Sequence, residues 1–384
     1  MIRPELLPDC WPKARLSDVV EFLDSRRKPV KASDRIEGPY PYYGANGQQG
    51  TINDYIFNEP LVLVAEDGGH FGVADRPIAY LVSGKYWVNN HAHVLKPKEG
   101  LDINYLFRHL QFYDVTKYIT GSTRKKLTKS DASRIELTIP PIEEQRRIAA
   151  ILDKADAIRQ KRKSALTLAD TFLRATFLDM FGSPVTNPKG WEIGTIRDLV
   201  TEAKYGTSAK ADPQEGEYPV LRMGNITYSG DMKLSDLKYI DLSEKDKKKY
   251  LVQKDDILFN RTNSKELVGK TTVFDLEDAY AYAGYLVRLR TNDKADPYYI
   301  SGYLNSSHGK ATLMGMCKNI VGMANINAQE VQDIKIALPP IELQKKYREA
   351  VNKVKLSKVQ MNEAVTQAET LFASLSQRAF KGEL

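Results

Sequence analysis

One stretch of this 384-residue chain occurs twice, 199 residues apart, and that repeat limits the possible folds more than any other feature. Pro140-Pro141-Ile142-Glu143-Glu144-Gln145-Arg146-Arg147 returns as Pro339-Pro340-Ile341-Glu342-Leu343-Gln344-Lys345-Lys346. Each copy opens a long run without Pro and almost without Gly, rich in Ala, Leu, Lys, Gln, Arg and Glu, the residues that lose least on entering a helix. The proline pair is compatible with a first helical turn, where a missing N–H costs nothing. Glu143 and Glu342 sit where the helix dipole favours an anion. Two long helices are therefore predicted, at 140–182 and 339–384, each about 40 residues or roughly 60 Å long.

A seam for a partner helix needs apolar or small residues at alternating steps of four and three. Ile151, Ala155, Ile158, Arg162, Ala165, Ala169, Phe172 and Thr176 follow that spacing in the first copy, and Ala350, Val354, Ser357, Met361, Ala364, Ala368, Leu371 and Leu375 in the second. Each member of the second set lies 199 residues after its counterpart, so the stripes repeat in register. Ile151, Ala155, Ile158, Phe172, Val354, Met361, Leu371 and Leu375 are the expected interface residues.

The segments 1–139 and 183–338 have a different texture, rich in Tyr, Gly and Asn with short β-branched runs such as Leu61-Val62-Leu63-Val64 and turn signals such as Asp67-Gly68-Gly69. Each reads as a mixed α/β globular domain, which makes the whole chain α+β with an internal repeat. Their openings are alike (Trp11 before Leu16-Ser17-Asp18-Val19, Trp191 before Ile196-Arg197-Asp198-Leu199), and each ends in a short helix and strand before the double proline. Their middles do not match.

Two distant cysteines, Cys10 and Cys317, exclude a disulfide framework or a cysteine zinc site and suit a reducing cytoplasm. The first residues lack the apolar core of a signal peptide, and no apolar run approaches the ~18 residues that span a bilayer. The net charge of +7 and pI near 9.0 favour an anionic partner without requiring one.

Catalytic constellations are mostly missing. Val268-Gly269-Lys270-Thr271 approaches a phosphate-binding loop, but Ser264 stands where its first glycine is needed. Gly309-Lys310 also lacks the upstream glycine, no G-x-G-x-x-G is present, and the Pro-Pro pairs lack the Asn/Asp and aromatic neighbours of an adenine methyltransferase. His91-Ala92-His93 with Glu66, Asp67 and His70 invites a metal, but polar side chains at a strand end account for the cluster without one. No catalytic, cofactor-binding or metal site is expected.

The two globular segments instead hold Arg, Lys, Asn, Gln and Ser/Thr in loops interleaved with Tyr, the set that reads duplex DNA. In the first these are Arg26, Arg27, Lys28, Tyr42, Tyr43, Asn46, Gln48, Gln49, Asn89, Asn90, His91, Ser122, Thr123, Arg124, Lys125 and Lys126. In the second they are Lys204, Tyr205, Arg222, Asn225, Arg261, Thr262, Asn263, Ser264, Lys265, Asn319 and Asn325. Arginine fits guanine bidentately, Asn or Gln fits adenine, and Lys holds phosphates.

With these features together, the chain resembles the specificity subunit of type I restriction-modification systems. The resemblance spans essentially the whole chain. It rests on the paired Pro-Pro-Ile-Glu-x-Gln starts (Pro140–Gln145, Pro339–Gln344), the closing Phe372-Ala373-Ser374-Leu375 through Leu384, Gly190-Trp191, Trp87 to Leu95, and Asp256-Ile257-Leu258-Phe259-Asn260-Arg261. It implies a non-catalytic subunit with two target recognition domains, each reading half of a bipartite site in double-stranded DNA. The two helices would pack antiparallel in a pseudo-two-fold arrangement, separate the domains and dock two methyltransferase subunits, with restriction and motor subunits joining through that core. S-adenosylmethionine, ATP and Mg would be bound by the partners, in the cytoplasm and without a membrane. The rival readings are a stand-alone DNA-modifying or DNA-cleaving enzyme, which a nuclease assay on the isolated chain would expose, and a protein-only scaffold, which would not bind DNA at low salt.

Overall fold

A computed structural model describes residues 2, 7–8, 10–73, 75–121, 124–264, 267–317 and 324–384. The predicted long helices are present at Ile142–Phe181 and Ile341–Phe380. The compact units cut across the linear order: one comprises 1–163 with 363–384, the other 164–362, so each takes half of each helix.

In the first unit a four-stranded antiparallel sheet runs Val20–Phe22, Ala92–Pro97, Leu61–Ala65, Ala79–Val82. A second sheet runs Gly47–Ile52, Tyr40–Gly44, Lys85–Val88, Phe57–Asn58, with its middle pair parallel. A two-stranded ladder joins Lys13–Arg15 to Glu136–Thr138 just before the long helix. Leu61–Ala65 is buried on both faces, which is why it reads as a continuous apolar run and not an alternating one. The second unit repeats this plan with one strand fewer among the described residues. Val200–Tyr205, Leu286–Thr291, Ile257–Asn260 and Thr271–Val273 form one sheet; Lys238–Ile240, Tyr218–Leu221 and Ala281–Tyr282 form another, again with a parallel pair. Ile193–Thr195 pairs with Lys335–Ala337. Domains whose middles share no recognisable sequence thus share strand order.

The duplicated glutamine explains the duplicated motif. Gln145 is fully buried; its Oε1 accepts from the Asp102 N–H (2.8 Å), and its Nε2 donates to Gly100 O (2.9 Å) and Pro140 O (2.8 Å). Asp102 caps the domain's helix, Ile103–Gln111, accepting from the N–H groups of Asn104 and Tyr105. In the second unit Gln344 does the same for Asp296 N–H (2.9 Å), Lys294 O and Pro339 O, and Asp296 caps Pro297–Asn305. Each long helix is therefore tied to its domain by one side chain using both ends of its amide. Gln145→Leu should strand the Asp102 N–H and two carbonyls in the interior and cost about 2–3 kcal/mol. The exposed Gln160→Leu should stay within about 0.5 kcal/mol, and urea midpoints of the two variants check the contrast.

Within each unit the helix segments pair antiparallel. In the first, Arg147 donates to Leu384 O (2.8 Å), Arg162 donates to Ala364 O (2.6 Å), and Ile148, Leu152 and Ala155 pack with Phe372, Ala379 and Phe380. In the second, Lys358 pairs with Asp170 (2.8 Å), and Phe177 and Phe181 pack with Tyr347 and Val351. The expected seam is half right. Ala155 is buried and Leu375 packs against the core, with Ile151, Val354 and Met361 half-buried, but Ile158, Phe172 and Leu371 are exposed at 41%, 58% and 53%. The second row of the seam lies one residue further on, through Leu152, Arg159, Val351, Lys358 and Phe372. Apolar spacing misled here because two seam positions are cations. Arg159 lays its guanidinium 4.6 Å from the Phe372 ring centre and bonds Asp156, and Lys358 buries its stem to reach Asp170.

Candidate nucleic-acid interface

The scattered candidates of the first domain converge at one end of its sheets. Asn46 donates to Gly68 O (3.0 Å); Asn89 donates to Gln49 Oε1 (3.2 Å) and accepts from the His91 N–H (2.8 Å). His91 Nδ1 lies 2.5 Å from Asp67 Oδ1, and Arg124 bonds the same carboxylate at 3.0 Å. Lys126 reaches Glu66 at 3.1 Å, and Lys125 is exposed beside it. The Tyr42–Gln49 hairpin, the Asn89–His91 turn and the Arg124–Lys126 segment thus meet around Asp67-Gly68. Ser122 and Thr123 lie outside the described residues. Gly47, at φ 94°, allows the hairpin its tight turn, and a side chain there would crowd Tyr80.

Several candidates are committed to the interior. Tyr42 is buried, its hydroxyl donating to Val30 O and accepting from Val30 N–H, with Arg35 stacked 3.8 Å from its ring centre. Arg27 is held by Glu66 (2.7 Å), Ala92 O (2.7 Å) and Asp24 O (3.0 Å). Asn89 is buried, and Tyr43 half-buried. Facing outward are Arg26, which also pairs with Glu59, and Lys28, Asn46, Gln48, Gln49, Asn90 and Arg124.

The histidine cluster resolves differently from its sequence. His93, fully buried, joins Asp24 (2.7 Å) and Glu66 (3.7 Å), three groups whose ligand atoms lie within 4.8 Å of one another. His93 Nε2 faces Leu127 O at 2.8 Å, and Arg27 and Lys126 sit on Glu66. Burial raises the Asp24 and Glu66 carboxyls, but the hydrogen bonds and charges of His93, Arg27 and Lys126 outweigh it and hold both below the usual range. With guanidinium and ammonium groups already neutralising the carboxylates, the trio works as a polar brace beneath the convergence point.

In the second domain Arg261 lies 4.8 Å from the Tyr205 ring centre, its backbone N–H donating to Tyr285 O (3.0 Å) and its side chain to Gly284 O (3.3 Å). Thr262–Asn263 pairs with Ala324–Asn325, and the buried Thr262 hydroxyl donates to Asn325 Oδ1 (3.3 Å). Arg261 and Thr262 line a shallow concavity with Lys210, Arg222, Lys238 and the exposed Tyr285. Lys210, Lys238 and Tyr285 escaped the sequence analysis because they are isolated residues on different elements. Of the remaining candidates, Lys204 is exposed and paired with Glu202, Arg222 pairs with Asp236 (3.1 Å), and Ser264 is half-buried. Asn225 is buried and ties the turn to Lys233 O and Ser235 O. Lys265, Asn319 and the Asn263 side chain lie outside the described residues.

Lys270, from the failed phosphate-loop match, points inward. Its ammonium donates to Met223 O (2.7 Å) and Ile226 O (2.6 Å), bracing the Arg222–Asn225 turn, and burial pushes its pKa down.

Among the described residues no helix is long and apolar enough to cross a membrane. Comparison with known proteins gives a consistent answer. Residues 8–168 and 188–368 each match the model of the type I restriction modification DNA specificity domain. A putative type I restriction enzyme specificity subunit from Haemophilus influenzae is 28% identical over 342 residues, covering 86% of this chain and 83% of that protein. The EcoKI specificity subunit of Escherichia coli is 24% identical over 423 residues, covering 98% and 90%. Among solved structures, an S subunit of a type I restriction-modification system from M. genitalium aligns with a TM-score of 0.58 at 14% identity, over 96% of both chains. With its two matched domains, the repeated helix starts and the shared strand order in both units, this chain belongs to the type I restriction modification DNA specificity domain family.

Proposed function

We propose that this chain is the DNA-reading subunit of a type I restriction-modification assembly, with each globular domain recognising one half of a bipartite site in double-stranded DNA. The observation that carries this reading is the repetition of one plan. Two domains of similar strand order each gather side chains from separate elements, arginine, lysine and amides in the first and arginine, lysine and tyrosine in the second, on an otherwise shared pair of helices. The chain itself performs no catalysis in this reading. Two methyltransferase subunits dock on the helices, restriction and motor subunits join through them, and S-adenosylmethionine, ATP and Mg belong to those partners in the cytoplasm. The exposed apolar side chains Ile158 and Leu371 of the first unit, and Leu168, Phe172, Leu356 and Val359 of the second, support docking on the helices, because a solvated helix face has no use for them.

Replacing residues 1–139 by the corresponding segment of a relative should change one half of the methylated sequence and leave the other intact. Mapping methylated positions in a genome carrying the assembly reads this directly, and a simultaneous change in both halves would contradict independent reading.

In the first domain Asp67 restrains Arg124 and His91. Asp67→Asn should free Arg124 for phosphates, raising affinity for unrelated duplex several-fold at low salt. The slope of log K against log salt should grow more negative by about 0.9 for one added phosphate contact. An unchanged slope in a filter-binding or anisotropy titration would place Arg124 outside the footprint.

A further inference from the structure

The two units use equivalent positions to seat their domains on the helices, yet the chemistry at those positions is inverted. In the first unit the domain supplies the cation. Arg108, sixth residue of Ile103–Gln111 and buried, bonds Asp153 (2.7 Å) and Asp156 (2.9 Å) of the long helix. In the second unit the helix supplies the cations. Lys355, the counterpart of Asp156, bonds Asp275 (2.7 Å); Lys358 bonds Asp231 (2.6 Å); and Arg348, the counterpart of Ala149, bonds the buried Asp296 (2.6 Å) and Asp255 (3.1 Å). Asn352 replaces Asp153, and only the position of Arg159 and Lys358 keeps its sign.

Size is inverted as well. The sixth residue of the second domain's helix, Pro297–Asn305, is Gly302. A Cβ added there would lie 3.0 Å from Phe177 Cδ2 and from the Tyr347 ring. Their counterparts in the first unit are Ser376 and Ile148, which leave room for Arg108. Charge and volume are thus two independent locks on the same seat.

We propose that each pair of helix segments is keyed to its own domain: the first seat accepts a domain helix bearing a cation at its sixth position, the second a domain with glycine there and acids around it. A domain in the wrong seat meets a specific penalty. In the first seat the second domain brings Asp275, the partner of Lys355 in its own seat, against Asp156. In the second, Arg108 is driven into two aromatic rings and towards Lys355. Uncompensated buried charge and overpacking both oppose that arrangement, so the order of the domains along the chain is fixed by the helices.

The test exchanges residues 12–139 with 192–338 in the full chain and leaves both helices unchanged. The exchanged chain should unfold about 10 °C or more below the parent, or fail to accumulate in soluble form. A second chain carries the same exchange with the seats re-keyed: Asp153→Asn, Asp156→Lys, Ala149→Arg, Ile148→Tyr and Ser376→Phe in the first, Asn352→Asp, Lys355→Asp, Arg348→Ala, Tyr347→Ile and Phe177→Ser in the second. It should recover at least half of the lost melting temperature or soluble yield. An exchanged chain that melts with the parent, or a re-keyed chain that does no better than the unkeyed exchange, overturns the proposal.

Discussion

Replacing Phe380 by alanine, four residues from the end of the sequence, should destabilise the globular domain at its beginning by about 3–5 kcal/mol. Phe380 is 1% exposed, and its ring centre lies 4.5 Å from that of His109 and 5.7 Å from that of Tyr105, both on the helix Ile103–Gln111. Tyr105 in turn bonds Thr138 O in the strand that precedes the long helix. Truncation removes an aromatic side chain from a junction where helix, strand and domain meet, and the ring positions around it are fixed by hydrogen bonds that resist collapse into the cavity. Amide exchange should show the loss in Leu61–Ala65 and Ala92–Pro97, while Ile257–Asn260 and Leu286–Thr291 keep their protection. Phe181→Ala, which removes the equivalent ring from Tyr299 (4.7 Å) and Tyr347 (5.6 Å), should give the reverse pattern. Equal loss in both sets for either variant would show that the two units unfold as one.

That expectation could not be reached from the linear order of the sequence, although much else could. The helix limits were legible because Pro-Pro marks each start, and the 40 residues that follow, Ile142–Phe181 and Ile341–Phe380, contain neither Gly nor Pro. Which face of those helices is buried was legible only in part. A rule that rewards apolar residues selected Ile158, Phe172 and Leu371, whereas the seam runs through Arg159, which lies on the Phe372 ring and pairs with Asp156 of its own helix, and Lys358, whose charge is matched across the pair by Asp170. The strand order shared by the two domains left little trace. A buried strand asks only for residues of suitable shape, and Leu61–Ala65 and Ile257–Asn260 meet that demand with different sequences. The candidate interface suffered from a related ambiguity. Tyr42, Asn89 and Asn225 have the residue types of a reading loop, but such loops must also be held in shape, and in this protein those side chains do the holding. Sequence spacing cannot divide polar residues between the two tasks, because both use the same hydrogen-bonding groups.

Arg261→Ala should weaken binding to the cognate site by about 1–3 kcal/mol, roughly five- to 150-fold, and relax the preference at one base pair of one half-site. Arg261 has the attributes of a base reader. Its guanidinium is stacked on Tyr205, a bond to Gly284 O restricts its rotation, and its backbone is fixed between Tyr285 O and the Ile326 N–H. A fork held in this way has already lost much of its conformational freedom, so little more is lost when it meets the paired acceptors of guanine. Lys238 lines the same concavity but offers a point charge on a flexible stem. Lys238→Ala should therefore weaken cognate and unrelated duplexes alike, with a salt slope shallower by about 0.9, while Arg261→Ala should lower cognate affinity far more than non-specific affinity. Arg261→Lys separates charge from geometry: it keeps the cation but loses the bidentate fork, and a base-reading role predicts that it fails to restore the sequence preference, whereas a phosphate-contact role predicts that it binds like the parent. Competition titrations with single-base variants of the cognate site, run at two salt concentrations, measure both quantities for all three proteins. If Arg261→Ala and Lys238→Ala behaved identically, Arg261 would be a phosphate contact, and the reading of the second half-site would have to lie elsewhere along the loops around Tyr285.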